Sequence, residues 1–189
     1  MLISEPYRQQ QKALHDDHTK PYGVASATYA PIVAKIINNY EVQTLLDYGA
    51  GARLTLIKTI SEQRLVSRKF DYRAYEPAVE MYSKTPEPAE MVACIDVLEQ
   101  IEPDLLDNVL DDLKRLTQRI GLFTVSTRPA MRVLSDGRNA HLIQESAEWW
   151  LPKFTDRFSL QTFQSQKDGF LVLVSPYDSN SISAAVIDQ

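Results

Sequence analysis

Short apolar runs alternate along the middle of the chain with segments whose apolar residues recur at helical spacing. The runs predict four strands, at residues 42–47, 70–76, 91–96 and 120–127. The helical spacing predicts helices at residues 28–40, 54–66, 103–117 and 148–154. Two further runs flank Lys167-Asp168-Gly169 and predict a final antiparallel hairpin. This order of elements predicts an α/β fold with a mostly parallel sheet.

The pattern divides the chain into three parts. Residues 1–27 are polar and form an N-terminal extension, and residues 28–175 form the α/β domain. Residues 176–189 are rich in Ser, Asn and Asp, so we expect a flexible tail.

Composition narrows the class of protein. The 189 residues are 44% hydrophobic and 24% charged, enough apolar material for a core, and the formal charge of -5 disfavours broad binding to nucleic acid or an anionic membrane. Cys94 is the single cysteine, and His15 and His18 have no nearby metal-ligand partners, so no metal site is expected. No signal peptide or bilayer-spanning run is visible, and we therefore expect a cytoplasmic protein without a membrane partner.

Three acidic residues close predicted strands. Asp47, Glu76 and Asp96 each end a run, and the carboxyl ends of parallel strands meet at one edge of the sheet, where such sheets bind ligands. Gly49 and Gly51 follow the first of them and allow a sharp turn and close approach of a ligand. Ordinary roles remain open, since Asp is common before glycine turns and Asp96 could cap a helix.

The charge of Asp47 discriminates between ligands. A carboxylate beside a pyrophosphate is repulsive by about 1–4 kcal/mol at about 4 Å, and Arg53 stands where the nicotinamide fingerprint has a third glycine. The same carboxylate attracts an ammonium or a sulfonium. S-adenosylmethionine carries both groups and also a ribose diol suited to Glu76. A nicotinamide enzyme is therefore disfavoured.

Three motifs resemble one family. LLDYGAG (45–51), YEPA (75–78) and DVLEQI (96–101) are similar to motifs of the class I S-adenosylmethionine-dependent methyltransferases, over roughly residues 20–165. GRNAH (137–141) and EWW (148–150) resemble a small phage- and bacteria-associated subgroup. The resemblance implies a Rossmann-like, doubly wound sheet and S-adenosylmethionine as the cofactor.

The resemblance also implies roles for individual residues. Asp47 and the glycine turn would line the methionine end of the cofactor, Glu76 would hold the ribose, and the segment before the first strand would be a lid. The implied cofactor-binding residues are Asp47, Gly49, Ala50, Gly51, Glu76, Pro77, Asp96, Val97, Tyr22 and Gly23.

The chain departs from the family between its second and third predicted strands. Only 20 positions separate Glu76 from Asp96, too few for a full helix, a strand and two loops. We therefore predict that the family's third strand and the helix before it are missing or rudimentary. The adenine would then be covered by residues 77–90, with Met81 or Tyr82 as an apolar face.

The catalytic candidate is His141. Methyl transfer from a sulfonium is an in-line displacement, so a base is needed only where the acceptor must lose a proton. His141 follows the last parallel strand in a polar loop, although a hydrogen-bonded loop histidine is the alternative. Trp149 and Trp150 point about 100° apart on a helix, so we expect one in the core and the other in the acceptor pocket.

These features predict a methyltransferase that acts on a small-molecule or sugar-type acceptor. Arg53 and Gln100, the latter in place of the family's histidine, keep open a catalytically inactive protein that acts as a binding module. A nucleic-acid-modifying enzyme is possible but not favoured, since the Asn/Asp-Pro-Pro-Tyr signature of amino-methylating DNA enzymes is absent. The edge of the terminal hairpin could pair in a homodimer.

Overall fold

The structure is a computed structural model that describes residues 1–17, 19, 22 and 24–177. The described helices are α1 Glu5–Asp16, α2 Ser26–Asn39, α3 Thr55–Glu62, α4 Leu106–Leu116 and α5 Ala147–Thr155. The described strands are β1 Thr44–Tyr48, β2 Asp71–Tyr75, β3 Ala89–Ile95, β4 Thr117–Ser126, β5 Ser159–Gln166 and β6 Gly169–Ser175. Residues 178–189, most of the predicted tail, lie outside the described residues.

The six strands form one sheet in the order β2-β1-β3-β4-β6-β5. The first four strands run parallel, and β6 pairs antiparallel with both β4 and β5. The prediction of a mostly parallel, Rossmann-like sheet with a C-terminal antiparallel hairpin is confirmed. Each parallel strand ends at the same edge, which brings the residues that follow β1, β2 and β3 together.

The link between β2 and β3 is short, as predicted. Residues 76–88 contain no strand and only one 3-10 helix, Glu80–Tyr82. Three prolines in this link, Pro77, Pro86 and Pro88, disfavour regular structure because each lacks a backbone N–H. The family's third strand is therefore missing, and β2 is left at the edge of the sheet.

Alternate residues of the central strands build two cores. Leu46 of β1 packs into a cluster with α4 and α5, whereas its neighbour Leu45 packs into a cluster with α2 and α3. This alternation is the period-2 geometry of a strand buried on both faces. Helices cover both faces of the sheet and leave its carboxyl edge for other elements.

The N-terminal helix α1 was not predicted. Its buried residues are Tyr7, Gln11 and His15, which recur every four positions and so lie on one face of the helix. All three are polar or carry a polar tip, and the segment therefore has the hydropathy of an exposed extension. Ser4 caps the helix by accepting the Tyr7 N–H at 3.4 Å.

Helix α3 is shorter than predicted. It ends at Glu62 instead of near residue 66, because Arg64 adopts a left-handed conformation with φ +53°. The Leu65 N–H then returns to the Ile60 carbonyl at 3.0 Å. Leu65 still packs against the α2–α3 core, which explains why the apolar spacing continued beyond the helix.

Candidate active site

A cavity of about 380 Å³ lies at the carboxyl ends of the parallel strands. Its floor is formed by the ends of β1, β2, β3 and β4, and its cover is formed by residues 2–3, α1 and Tyr22. The predicted site residues that line it are Asp47, Gly49, Gly51, Glu76, Pro77, Asp96, Val97, Tyr22 and His141. The cavity has the size of a small-molecule site.

Asp47 is buried in this floor, only 3% exposed. The Tyr72 hydroxyl donates to its Oδ2 at 2.8 Å. Burial raises the pKa of Asp47 to about 7; the Tyr72 hydrogen bond opposes part of this increase, and the nearby charge of Glu76 adds a smaller increase. Ionisation of this buried carboxyl therefore costs free energy, and a positively charged ligand beside it would offset that cost.

The glycine turn after β1 is fixed by two contacts. Gly49 has φ +82°, which strains any larger residue, and a Cβ there would lie 2.3 Å from Cγ2 of Val97, so the Val97 side chain would have to move. The Gly49 and Ala50 N–H groups both donate to the Tyr75 carbonyl, at 2.8 and 3.0 Å. Ala50 is buried behind the turn and does not line the cavity.

Glu76 lies at the end of β2 and faces the same space. Its Oε1 accepts the Ala78 N–H at 3.2 Å, and its own N–H donates to the Tyr82 carbonyl at 3.0 Å. Met81 is 79% exposed, and neither Met81 nor Tyr82 lines the cavity, so the structure does not place the expected apolar face there.

Asp96 adopts a left-handed conformation, with φ +52°, directly after β3. Its Oδ1 accepts the Thr124 hydroxyl proton at 2.6 Å, and its N–H donates to Thr124 Oγ1 at 2.9 Å. Burial raises the pKa of Asp96. A non-glycine residue rarely takes this conformation, and such backbone strain is concentrated at functional sites.

Gln100 connects the floor to the cover. Its Nε2 donates to the Asp96 carbonyl at 2.6 Å, and its Oε1 lies 2.6 Å from the Tyr22 hydroxyl. The Tyr7 hydroxyl donates to the Gln100 carbonyl at 2.5 Å and accepts from Gln11 Nε2 at 2.5 Å. The main-chain carbonyl of Gln100 therefore anchors α1, whereas its side chain, which departs from the family pattern, anchors Tyr22 over the strand ends. Gly23 and His18 lie outside the described residues.

His141 lies on the cavity wall beside a buried carboxyl. Its Nδ1 is 2.6 Å from the Arg128 carbonyl oxygen, so that nitrogen carries the proton, and its Nε2 is 3.9 Å from Glu99 Oε1. Glu99 is fully buried, accepts the Ser126 N–H at 3.0 Å, and has its pKa raised by burial. The Nε2 of His141 remains available as a proton acceptor.

Basic residues surround the mouth of the cavity. Arg128 pairs with Asp168 at 3.1 Å, and Arg132 pairs with Asp17 at 3.6 Å. Trp150 is fully buried, as expected of one of the two tryptophans, but Trp149 lies outside the cavity with Lys153 Nζ 4.3 Å from its ring centroid. The expectation that the second tryptophan lines the acceptor pocket is wrong, because α5 turns it to the outer surface.

The site predicted from the sequence did not include Tyr7, Gln11, His15 and Gln100, which line the cavity, or Glu99, which lies beside His141. Only the four-residue spacing of the first three could have indicated them. Among the described residues, no helix is long and apolar enough to cross a membrane. Within the same part of the chain, no group of three or more His, Cys, Asp or Glu side chains is arranged to hold a metal ion.

Comparisons with known proteins address the fold. No protein-family model matches the chain, and no curated protein matches it in sequence. Among solved structures, DhpI in complex with S-adenosylhomocysteine (SAH) matches with a TM-score of 0.61 and 15% identity, covering 94% of this chain and 100% of that chain. The 1,6-didemethyltoxoflavin N1-methyltransferase of Burkholderia thailandensis, with bound SAH, matches with a TM-score of 0.58 and 13% identity, covering 92% of this chain and 86% of that chain.

A third similar structure is the mitomycin 7-O-methyltransferase MmcR, with a TM-score of 0.59 and 13% identity. The match covers 80% of this chain and 54% of that chain, so this chain spans about half the length of that enzyme. These likenesses establish that the chain has the Rossmann-like fold of the S-adenosylmethionine-dependent methyltransferases.

Proposed function

We propose that this protein is an S-adenosylmethionine-dependent methyltransferase that acts on a small-molecule acceptor. The observation that carries the proposal is the position of Asp47, Glu76 and Asp96, which lie at the carboxyl ends of three adjacent parallel strands and line one cavity. Burial raises the pKa of both Asp47 and Asp96, which shows how unfavourable their negative charges are without a partner. A cationic ligand matches that requirement.

The residues present fit the cofactor in three respects. The carboxylate of Glu76 can accept from the two ribose hydroxyls, as acidic residues at this position do in nucleotide-binding sheets. The glycine turn at Gly49 and Gly51 lets the ligand approach the backbone. Asp47 and Asp96 lie where they can face the ammonium and sulfonium charges. When bound, the cofactor supplies an electrophilic methyl group.

The acceptor would occupy the part of the cavity near β4, opposite Glu76. His141 and Ser126 line this part, together with the apolar residues Ala130 and Ala140. His141 Nε2 can accept the proton that a hydroxyl loses as its oxygen attacks, or the proton that an amine loses once its nitrogen has taken the methyl group. The described structural neighbours include an N-methyltransferase and an O-methyltransferase of small molecules, which supports an acceptor of this size.

Calorimetric titration with SAH tests the proposal directly. We expect binding at micromolar concentration with about one molecule per chain, and release of SAH when S-adenosylmethionine is incubated with a library of small hydroxyl- and amine-containing acceptors. No heat with SAH would contradict the proposal. Binding without turnover on any acceptor class would instead support a binding module that has this fold.

A further inference from the structure

We propose that His15 of α1 is part of the cofactor site and binds a ribose hydroxyl against Glu76. This inference rests on the proposed function and assigns to the site a residue from the cover of the cavity. His15 is nine-tenths buried, although it belongs to a segment with the hydropathy of an exposed extension.

Helix α1 is anchored to the segment after β3 at its start and in its middle. At the start of the helix, Ser4 donates to Glu102 through both its N–H, at 2.8 Å, and its hydroxyl, at 2.6 Å. In the middle, the Tyr7 hydroxyl bonds the Gln100 carbonyl. These contacts to the segment after β3 orient the helix, so the position of His15 over the strand ends follows from several independent anchors.

The imidazole of His15 faces the carboxylate without bonding to it directly. His15 Nε2 lies 3.6 Å from Glu76 Oε2, which is beyond hydrogen-bond distance. Glu76 Oε1 already accepts the Ala78 N–H, whereas the contacts of the described residues give Oε2 only this longer approach. A hydroxyl that lies beside both atoms, and not between them, can therefore hydrogen-bond to the imidazole and to the carboxylate.

The third wall of this space is the glycine turn. A Cβ on Gly51 would lie 3.4 Å from Cε1 of His15, so the imidazole packs directly above the turn. The Tyr22 ring lies on another side of the imidazole, with 4.9 Å between the ring centroids. His15, Glu76, Gly51 and Tyr22 all line the cavity.

The chemistry of a ribose hydroxyl matches this pair of groups. A hydroxyl donates one hydrogen bond and can accept others, but a carboxylate can only accept. A diol bound by Glu76 alone would leave its own oxygen atoms without a donor. The imidazole N–H of His15 supplies one, which makes His15 a contact specific to the sugar.

Calorimetry with SAH and with its 2′-deoxy and 3′-deoxy analogues tests this inference. We expect His15→Ala to weaken SAH binding about five- to tenfold and His15→Gln, which keeps an N–H donor, to restore part of the affinity. For one of the two deoxy analogues, the loss of affinity relative to SAH should also be smaller in His15→Ala than in the wild-type protein, because the partner of the missing hydroxyl is gone. Lys12→Ala, which removes an exposed side chain of the same helix, should bind SAH as the wild type does.

Three outcomes overturn the inference. Equal SAH affinity in His15→Ala and the wild type excludes a ribose contact. Tighter SAH binding by His15→Ala shows that the imidazole occupies the ribose position instead of binding the ribose. If both deoxy analogues lose the same affinity relative to SAH in His15→Ala as in the wild type, His15 lies away from the sugar. A wild-type protein that gives no heat with SAH overturns the proposed function as well, whereas the other outcomes leave that function standing.

Discussion

The floor and the cover of the cavity are held by different kinds of structure. The floor consists of residues at the carboxyl ends of parallel strands, so Asp47, Glu76 and Asp96 are brought together by the backbone of the sheet. The cover consists of α1 and Tyr22, which side-chain hydrogen bonds through Gln100 attach to the floor. We therefore expect the floor to determine whether the cofactor binds and the cover to adjust how tightly.

The largest expected effect comes from Glu76→Ala. Removal of a carboxylate that accepts two ribose hydroxyls should weaken SAH binding about 100-fold, because hydrogen bonds to a charged group are the strong ones. The melting temperature should change little, since the side chain makes only one hydrogen bond, at 3.2 Å, within the described protein. Calorimetry and thermal unfolding measure both quantities. Glu80→Ala, in the adjacent 3-10 helix, is the control and should bind normally.

Asp47→Asn is expected to change cofactor affinity and protein stability in opposite directions. Loss of the charge should weaken binding of S-adenosylmethionine about tenfold, as expected for a carboxylate about 4 Å from a cation. The free protein should become more stable at pH 8 by about 1–3 kcal/mol, because the native pKa of about 7 shows that the charge is unfavourable there. A less stable variant would show that Tyr72 and Asp47 act mainly as a structural pair. Asp71→Asn, at the exposed start of β2, is the matched control.

The raised pKa of Asp47 also predicts a pH dependence. The native carboxyl keeps its proton up to about pH 7, whereas the unfolded one loses it near 3.8, so this group lowers the stability of the free protein as the pH rises from about 4 to 7. Affinity for S-adenosylmethionine should rise several-fold between pH 6 and pH 8, because the cation prefers the ionised carboxylate. In Asp47→Asn this rise should be absent. An equal rise in both proteins would assign it to another group.

A smaller effect is expected in the cover. Gln100→Leu removes the side-chain link between the Asp96 carbonyl and Tyr22, and we expect SAH binding to weaken two- to fivefold. Because the Tyr22 hydroxyl also bonds Gln11 of α1, loosening Tyr22 should make the backbone amides of α1 exchange with deuterium faster, while those of β1 and β3 keep their protection. Gln118→Leu, on an exposed position of β4, controls for the change in side-chain chemistry. Faster exchange throughout the sheet would show that Gln100 supports the whole fold.

The smallest effect on cofactor affinity is expected for His141→Gln. His141 lies on the β4 side of the cavity, near Glu99 and away from Glu76, so SAH binding should stay within about twofold of the wild type. Turnover should fall about 10²-fold or more once an acceptor is identified, as expected for loss of a general base. An unchanged rate would remove His141 from the mechanism and leave it as a loop residue bonded to Arg128.

The floor could be predicted from the sequence because its geometry is local. A strand that carries an acidic residue near its end is followed directly by a glycine turn within residues 44–51, and a parallel sheet determines where that edge lies. The missing strand was equally predictable, since 20 positions between Glu76 and Asp96 limit what the link can contain.

The cover could not be predicted in the same way. The buried face of α1 is made of Tyr7, Gln11 and His15, and its burial depends on other parts of the chain: Tyr7 bonds the Gln100 carbonyl, 93 positions away, and His15 faces Glu76. Glu99 is a comparable case, because its full burial under the loop that carries His141 is set by tertiary packing and not by its own sequence context. Polar residues that are buried through distant hydrogen bonds have no hydrophobic pattern that identifies them.

The most direct test of the central claim is a crystal structure of the protein grown with SAH. We predict that the ribose hydroxyls lie within about 3.2 Å of the Glu76 carboxylate, with the amino group of SAH on the side of the cavity that Asp47 and Asp96 line. Ligand density elsewhere on the protein, or an unoccupied acidic floor at millimolar SAH, would contradict the account.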